Sequence, residues 1–300
     1  MAKTYNLAVK TKNAKNKETQ KMKIAISAES TIDMPKELLE KYDIHTVAFT
    51  ILLGDKLALD GEITPTEIFD FVGKTKILPK TSAVNEEQYK EHFANLKKDY
   101  DAVLHFSLSS EMSSAYSNAV KASEHFENIH VFDTRSLSTG IALQAIYAKK
   151  LVDQGLEFDK IIAKMNEIIP HTQASFVLKK LDYLYKGGRC SSLAYFGANL
   201  LGLKPQIIVK DGSMKSHHKY RGTMQKVVAD YCRDTLAEFN NPDTDVAFIT
   251  YSSATDEMIA EAETALKNAG FKTIYKTLAG ATVSSHCGEY CLGILYINKN

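Results

Sequence analysis

The stretch Phe176-Val-Leu-Lys-Lys-Leu-Asp-Tyr-Leu-Tyr-Lys-Gly-Gly-Arg189 decides how the rest of the chain is interpreted. Leucine and tyrosine side chains recur in it at helical spacing, and the pair Gly187-Gly188 then interrupts that pattern. A second apolar run follows Ser191 and continues to Lys204. We therefore predict a helix, a tight turn and another helix.

Arg189 follows the paired glycines directly. Glycine permits backbone angles that other residues resist, and it lets another group approach the main chain closely. An arginine beside such a turn, near the free amides of a helix start, is suited to meeting an anion. The same residues are also typical of an ordinary helix C-terminus followed by a surface arginine, so other residues have to separate the two interpretations.

Length and composition indicate a globular protein that is long enough for two domains. The chain has 300 residues, of which 44% are hydrophobic and 24% charged. A formal net charge of +1 gives no general reason to expect nucleic acid, and no segment is apolar enough over its length to span a bilayer. No signal peptide is visible and the four cysteines lack a disulfide spacing, so we expect a cytoplasmic protein. Residues 1–21 are rich in Lys and Asn and are expected to be a disordered extension or a tag remnant.

From Met22 to Pro170 short apolar strands alternate with helices, which predicts a largely parallel sheet. Several strands end in hydroxyl-rich segments, where ligands of such sheets collect. The expected strands are Lys23–Ser27, Val47–Leu53, Ala102–Phe106 and Ile129–Asp133. Helices are expected to begin at Pro35 and at Thr64, and two more are expected at Glu86–Leu96 and Gly140–Gln154. A loop is expected at Pro79–Ala83.

The second half predicts a further α/β domain, with domains at residues 22–171 and 172–300. A hairpin is expected from Pro205 to Gly222, and a polar loop from Gly280 to Tyr290 leads into a final strand. Between them we expect helices at Thr223–Phe239 and Asp256–Ala269 and strands at Asp245–Tyr251 and Thr273–Leu278.

A set of short motifs in this order and spacing resembles the DegV family over nearly the whole chain from Met22. That family includes the fatty-acid-binding subunits of bacterial fatty acid kinase. The motifs are Ser30-Thr-Ile-Asp33, Thr81-Ser82, Ser109-Ser-Glu-Met-Ser113, Tyr183-Leu-Tyr-Lys-Gly-Gly-Arg189, Lys204-Pro205, Asp211-Gly212, Lys219-Tyr-Arg221 and Ser285-His286.

The resemblance implies a two-domain α/β carrier that encloses one long-chain fatty acid, with its carboxylate at the domain junction. It implies no catalysis and no cofactor for the carrier, because a separate ATP-dependent kinase subunit forms the acyl phosphate for phospholipid synthesis. Transient contact with a membrane is compatible with that role. The residues implied for the carboxylate are Thr81, Ser82, Ser113, Ser114 and His286, and those implied for an anion or the partner are Arg189, Lys219 and Arg221.

Three positions depart from the pattern of the family. Ser113-Ser114-Ala115 stands where the family has Ser-Gly-Thr, and Val84-Asn85 where a proline is usual. Gly288-Glu289-Tyr290 replaces Gly-Pro-Gly. These changes concern the shape of the pocket rather than the fold.

Other interpretations of the same residues stay open. Ser113 with His286 could form a serine esterase, although no G-x-S-x-G elbow accompanies them. His286, Cys287 and Cys291 could bind zinc, although a second cysteine pair is absent from the sequence. The basic segment Lys215–Arg221 lacks the pattern of aromatic residues interleaved with basic ones that is typical of nucleic-acid binding, so no nucleic acid is expected. A regulatory or scaffolding protein with another ligand is the remaining alternative.

Overall fold

The computed structural model describes residues 22–190 and 202–299, in which strands and helices alternate as expected. Its strands are β1 (Ile24–Glu29), β2 (Ile44–Val47), β3 (Thr50–Leu53), β4 (Lys56–Leu59), β5 (Lys80–Ser82), β6 (Ala102–Ser107), β7 (Ile129–Asp133), β8 (Thr172–Val177), β9 (Lys204–Lys210), β10 (Ser213–Tyr220), β11 (Pro242–Tyr251), β12 (Thr273–Leu278) and β13 (Leu292–Asn298). Its helices are α1 (Lys36–Tyr42), α2 (Pro65–Thr75), α3 (Glu86–Leu96), α4 (Ala115–Ser123), α5 (Thr139–Asp153), α6 (Phe158–Ile168), α7 (Asp182–Gly187), α8 (Met224–Glu238), α9 (Asp256–Asn268) and α10 (Ala281–Cys287).

A parallel sheet forms from the first part of the chain, in the order β2-β1-β6-β7. All of its strand pairs run parallel. Every residue of β1 and β6 is buried. This explains why apolar residues follow one another in both strands instead of alternating regularly with polar ones. The predicted α/β fold with a parallel sheet and flanking helices is confirmed.

A six-stranded mixed sheet forms from the second part, in the order β10-β9-β8-β13-β11-β12. Strand β13, the last of the chain, lies between β8 and β11 and is antiparallel to both. Strands β9 and β10 form the expected hairpin. Helices α8 and α9 pack against each other and against this sheet. Together with the sheet they form a hydrophobic core of their own.

Helix α5 lies between the two large sheets, in contact with β1 and β6 on one side and β8, β11 and β13 on the other. Ten of its fifteen residues are buried. A helix that is apolar nearly all round is stable only inside a core, and this one joins the two sheets into one packed interior.

A small antiparallel sheet, in the order β4-β3-β5, was not expected from the sequence. Ile51 of this sheet packs together with Ile68 of α2 and Ala281 of α10. Helix α10 thereby lies against the small sheet and α2, and it also contacts α7.

Four local predictions were wrong. Phe176 and Val177 end β8 instead of starting a helix, because the main chain of that segment pairs with β13 and β9. The expected single strand Val47–Leu53 is divided between β2 and β3, which belong to different sheets. The predicted loop Pro79–Ala83 contains β5, and the predicted loop after Gly280 contains α10.

Two predictions fall outside the described residues: the extension at 1–21 and most of the helix expected after Ser191. The domain boundary at residue 171 stays a prediction.

Candidate functional site

A cavity of about 220 Å³ lies where the parallel sheet, the small sheet and helix α10 meet. One part of its lining is apolar and the other carries hydroxyls, an imidazole and a guanidinium. The lining residues are Thr31, Phe49, Thr81, Ala83, Leu108, Met112, Ser113, Ser114, Leu137, Arg189, Met214, Thr282, Val283, His286 and Cys287. A mostly apolar pocket with a few convergent polar groups is the usual form of a small-molecule site.

Thr81 and His286 are in direct contact in this cavity although 205 residues separate them. The Thr81 Oγ1 and His286 Nε2 atoms lie 2.9 Å apart, at hydrogen-bond distance. Thr81 is fixed on β5, which pairs with β3, and His286 is in the last turn of α10. The other ring nitrogen of His286, Nδ1, is buried without a hydrogen-bond partner among the described residues.

The two glycines of the Lys-Gly-Gly-Arg segment have different roles. Gly188 ends α7 with a φ of 71°, in the left-handed region that favours glycine. At Gly187, a Cβ atom would lie 2.7 Å from His286 Nδ1, so only glycine admits the imidazole at this distance. The close approach that the sequence suggested at these glycines is therefore made by the site histidine itself.

Arg189 lines the cavity and is itself exposed. Its Nη1 donates a hydrogen bond of 2.6 Å to the Gly187 carbonyl, which holds the guanidinium close to the turn. The positive charge also affects His286, because burial and the neighbouring Arg189 lower the pKa of the imidazole to about 4. His286 is therefore neutral at neutral pH.

Ser113 and Ser114 line the cavity at the start of α4. The Ser113 hydroxyl oxygen accepts a hydrogen bond of 3.1 Å from the Ala115 amide, so it helps to start the helix. Within residues 22–190 and 202–299 this hydroxyl donates no hydrogen bond, so its hydrogen can point to a ligand. Asn118 of the same helix donates from Nδ2 to the Val84 carbonyl and links α4 to the loop that follows β5.

Helix α10 is held at its start by two carboxyl groups from the first part of the chain. Asp33 Oδ1 accepts from the Gly280 amide at 2.8 Å, and Asp60 Oδ1 accepts from the Ala281 amide at 2.9 Å. The Ser138 hydroxyl lies 2.5 Å from the second oxygen of Asp33. Because these contacts fix the helix that carries His286, they position the site from outside the cavity.

Asp33 predicts a measurable pH dependence of stability. Burial raises the pKa of Asp33 to about 8, against the lowering effect of its hydrogen bonds from Ser138 and Gly280. Between the ordinary value of 3.8 and about 8, the folded state keeps a proton that the unfolded state loses. The stability due to this proton is complete below the unfolded pKa and is lost as pH rises through the folded one.

We therefore expect Asp33→Asn to stabilise the protein relative to the native chain increasingly as pH rises from 5 to 8. The difference should grow by on the order of 1 kcal/mol per pH unit, measured as the urea-unfolding free energy at each pH. Asp55→Asn, in the exposed turn between β3 and β4, is the control and should leave the pH profile unchanged. Parallel profiles for Asp33→Asn and the native chain would contradict the prediction.

The structure brings together Thr81, Ser113, Ser114, Arg189 and His286, and it does not bring the other three candidates to the cavity. Ser82 is an exposed residue at the end of β5. Lys219 and Arg221 are exposed at the end of the β9–β10 hairpin. Sequence reasoning missed Asp33 and Asp60 as positioning residues, and it also missed the lining residues Thr31, Met112, Thr282 and Val283.

A second, smaller cavity of about 30 Å³ adjoins the first and shares three lining residues with it, Leu137, Val283 and Cys287. Its surface is almost entirely apolar and includes Phe176, Cys291 and Leu295. The two cavities together lead from the polar side chains inward towards the mixed sheet.

The zinc and esterase interpretations lack the required geometry in the described part of the chain. His286, Cys287 and Cys291 do not form a group with metal-ligand spacing in residues 22–190 and 202–299. His286 Nε2 is bonded to Thr81, and no hydrogen bond joins it to Ser113 within those residues. No helix in that part of the chain is long and apolar enough to cross a membrane.

Fold and cavity together define an α/β protein with an internal cavity that is polar at one end and apolar at the other. Residues 23–299 match the model of the DegV family, and the chain belongs to that family.

Relatives with known ligands support the same grouping. The chain is 32% identical over 215 residues to a fatty acid-binding protein of Thermotoga maritima, covering 69% of this chain and 75% of the relative. The solved structure of a fatty-acid-binding DegV family protein from Thermus thermophilus matches with a TM-score of 0.86 at 26% identity, covering 93% and 100% of the two chains. A stearic acid-binding protein from Eubacterium ventriosum matches with a TM-score of 0.78 at 26% identity, covering 92% and 98%.

Proposed function

We propose that this protein binds one long-chain fatty acid, with its carboxylate at Thr81 and Ser113 and its tail along the apolar wall of the cavity. The contact between Thr81 and His286, at the polar end of an otherwise apolar cavity, is the observation that carries this proposal. Fatty acid binding by the Thermotoga, Thermus and Eubacterium relatives supports it.

In this proposal His286 acts on the ligand through Thr81. With a hydrogen on Nε2, the neutral imidazole donates to the Thr81 oxygen, and the threonine hydrogen is then free to point at an anion. Hydrogen bonds that a carboxylate accepts are shorter and stronger than those between neutral groups. Ser113 supplies a second hydroxyl, and Arg189 supplies a positive charge at the same end.

The tail contributes affinity and the head group contributes orientation. Burial of each methylene stabilises the complex by about 0.8 kcal/mol, so a long acyl chain supplies most of the binding free energy. The adjoining apolar cavity offers a route for the tail past Val283 and Cys287. The hydroxyls then hold the carboxylate near exposed Arg189, at the surface end of the cavity.

We further propose that the bound carboxylate is presented to a separate ATP-dependent kinase subunit in the cytoplasm, which forms the acyl phosphate for phospholipid synthesis. The carrier then needs no cofactor or metal for the phosphoryl transfer, because the kinase supplies the nucleotide and its metal. Lys219 and Arg221, exposed on the hairpin, are proposed to face the kinase or an anionic surface such as a membrane.

The proposal is tested by extracting the purified protein with organic solvent and identifying what was bound by mass spectrometry. We expect close to one fatty acid per chain, and the same analysis names its length and unsaturation. An empty protein that also fails to take up added fatty acids would favour a DegV-like regulatory or scaffolding protein with another ligand. Ester hydrolysis that is lost in Ser113→Ala would favour the esterase.

A further inference from the structure

Two consecutive histidines that do not line the cavity lie close to one carboxylate. His217 and His218 are on β10, the edge strand of the mixed sheet, and Glu238 is the last residue of α8. The His217 Nε2 atom lies 2.7 Å from Glu238 Oε2, and the His218 Nε2 atom lies 3.7 Å from the same oxygen.

An irregularity of β10 explains why two neighbouring residues face the same carboxylate. Side chains of a regular strand alternate between the two faces of a sheet. The register of β10 against β9 shifts between Ser216 and Lys219, and the two histidines are the residues inside that shift. Such a bulge turns an extra side chain to the same side, and the two imidazole centres are in fact only 4.3 Å apart.

An ordinary ion pair accounts for only part of this arrangement. His217 is at hydrogen-bond distance from Glu238, but His218 is beyond it, so the second imidazole gains no hydrogen bond from this carboxylate. The ring centres of the two histidines are 4.3 Å apart, beside the same carboxylate. A cation that both rings ligate uses all three groups.

The three groups have the chemistry and spacing of a metal site. Their ligand atoms all lie within 4.8 Å of one another. Two histidines and one glutamate are a recognised ligand set for Zn²⁺, which leaves a fourth position for water. The side chains are accessible, with exposed fractions of 29% for His217, 48% for His218 and 39% for Glu238.

The surroundings leave room for the fourth ligand. A groove of about 600 Å³ is lined by His217 and Glu238 and also by His171, a third imidazole. Lys215 lines the same groove, and its ammonium is directed to Asp211, 3.7 Å away. A cation in the groove therefore meets imidazole nitrogens and a carboxylate oxygen.

We propose that His217, His218 and Glu238 bind one Zn²⁺ ion and that the ion joins the end of α8 to the β9–β10 hairpin. A nitrogen that ligates Zn²⁺ must be unprotonated. When the ion binds at Nε2 of His217, the hydrogen on that nitrogen therefore moves to Nδ1 or is released to solvent. The proposal does not depend on fatty acid binding, since none of the three residues lines the cavity.

The test is a calorimetric titration of the metal-free protein with zinc chloride near neutral pH. We expect one ion per chain with micromolar affinity, weakened at least roughly ten-fold by His217→Ala, by His218→Ala and by Glu238→Gln. His125→Ala is the matched control, because His125 is an exposed histidine 3.8 Å from Glu86 but has no second histidine in the group. This control should bind zinc as the native chain does.

Two further readouts separate a built site from loose surface binding. Cobalt in place of zinc should give the visible absorption of a four-coordinate ion, lost in His218→Ala. Zinc should raise the melting temperature of the native chain, because a ligand of the folded state stabilises it, and should not raise that of His217→Ala. Unchanged zinc affinity in both histidine variants, or no binding at millimolar zinc, would overturn the proposal.

Discussion

Replacing His286 with alanine is expected to weaken the proposed fatty acid binding and to reduce acyl phosphate formation by the proposed kinase, each by roughly 10- to 100-fold. The reason is the 2.9 Å contact with Thr81, since without the imidazole the threonine hydroxyl is no longer directed at the carboxylate. A hydrogen bond to a charged group contributes about 1.5–3 kcal/mol, which corresponds to that range. Affinity is measured by displacement of a fluorescent fatty acid, and turnover with the purified kinase.

A double-mutant cycle makes this prediction specific. Because Thr81 and His286 are proposed to act as one unit, Thr81→Val combined with His286→Ala should weaken binding little more than either change alone. The matched control is His45→Ala, because His45 also bonds a hydroxyl, that of Tyr100 at 3.0 Å, but does not line the cavity. Unchanged binding and turnover in His286→Ala would count against the proposed role of the histidine.

Replacing Glu29 with alanine is expected to lower the free energy of unfolding by about 3–5 kcal/mol. Glu29 is completely buried, and its carboxylate accepts four hydrogen bonds. The donors are the hydroxyls of Tyr89 at 2.5 Å and Ser107 at 2.7 Å, the Leu108 amide at 2.9 Å and the imidazole of His105 at 3.2 Å. Alanine leaves all four donors buried without this acceptor.

The charge of Glu29 adds an acid dependence. Burial alone would raise the pKa of Glu29, but the bonds from His105, Tyr89 and Ser107 hold it below its ordinary value of 4.5. The stability due to this carboxylate is therefore present above the unfolded pKa and is lost as pH falls through the folded one. Urea unfolding near neutral pH measures the effect, and Glu37→Ala, at an exposed position of α1, should change stability by less than about 0.5 kcal/mol. A loss below about 1 kcal/mol in Glu29→Ala would contradict the prediction.

Regular elements with clear ends could be predicted from the sequence almost residue by residue. The bounds of α3, β7 and β12 agree with the structure. Helix α3 starts at a capping box formed by Asn85 and Gln88, and a residue of that type before an amphipathic run marks a helix start in the sequence itself. Strand β7 lies between two polar residues, Asn128 and Thr134.

Elements that depend on distant residues could not be predicted. Helix α10 is short and contains three hydroxyl residues and a valine, none of which favours a helix. Its first amides are bonded by Asp33 and Asp60, which are 247 and 221 residues away. The apolar run Val47–Leu53 likewise gives no sign that the chain passes from one sheet to another within it.

The candidate site shows the same division. Thr81, Ser113 and His286 were selected by the resemblance, and the structure brings all three to one cavity. The lining residues Met112 and Val283 were missed, because an apolar side chain beside a cavity has the same sequence signature as one in a packed core. Ser82 was selected with Thr81, but neighbouring residues of β5 point to opposite faces.

The position of β13 in the middle of the mixed sheet has a consequence for synthesis on the ribosome. Strands β8 and β11 are made earlier but have no direct pairing with each other, because the last strand of the chain lies between them. Helix α10, with His286, immediately precedes that strand. A nascent chain therefore cannot complete the mixed sheet beside this pocket before β13 has been synthesised, and lipid loading must follow the synthesis of that strand.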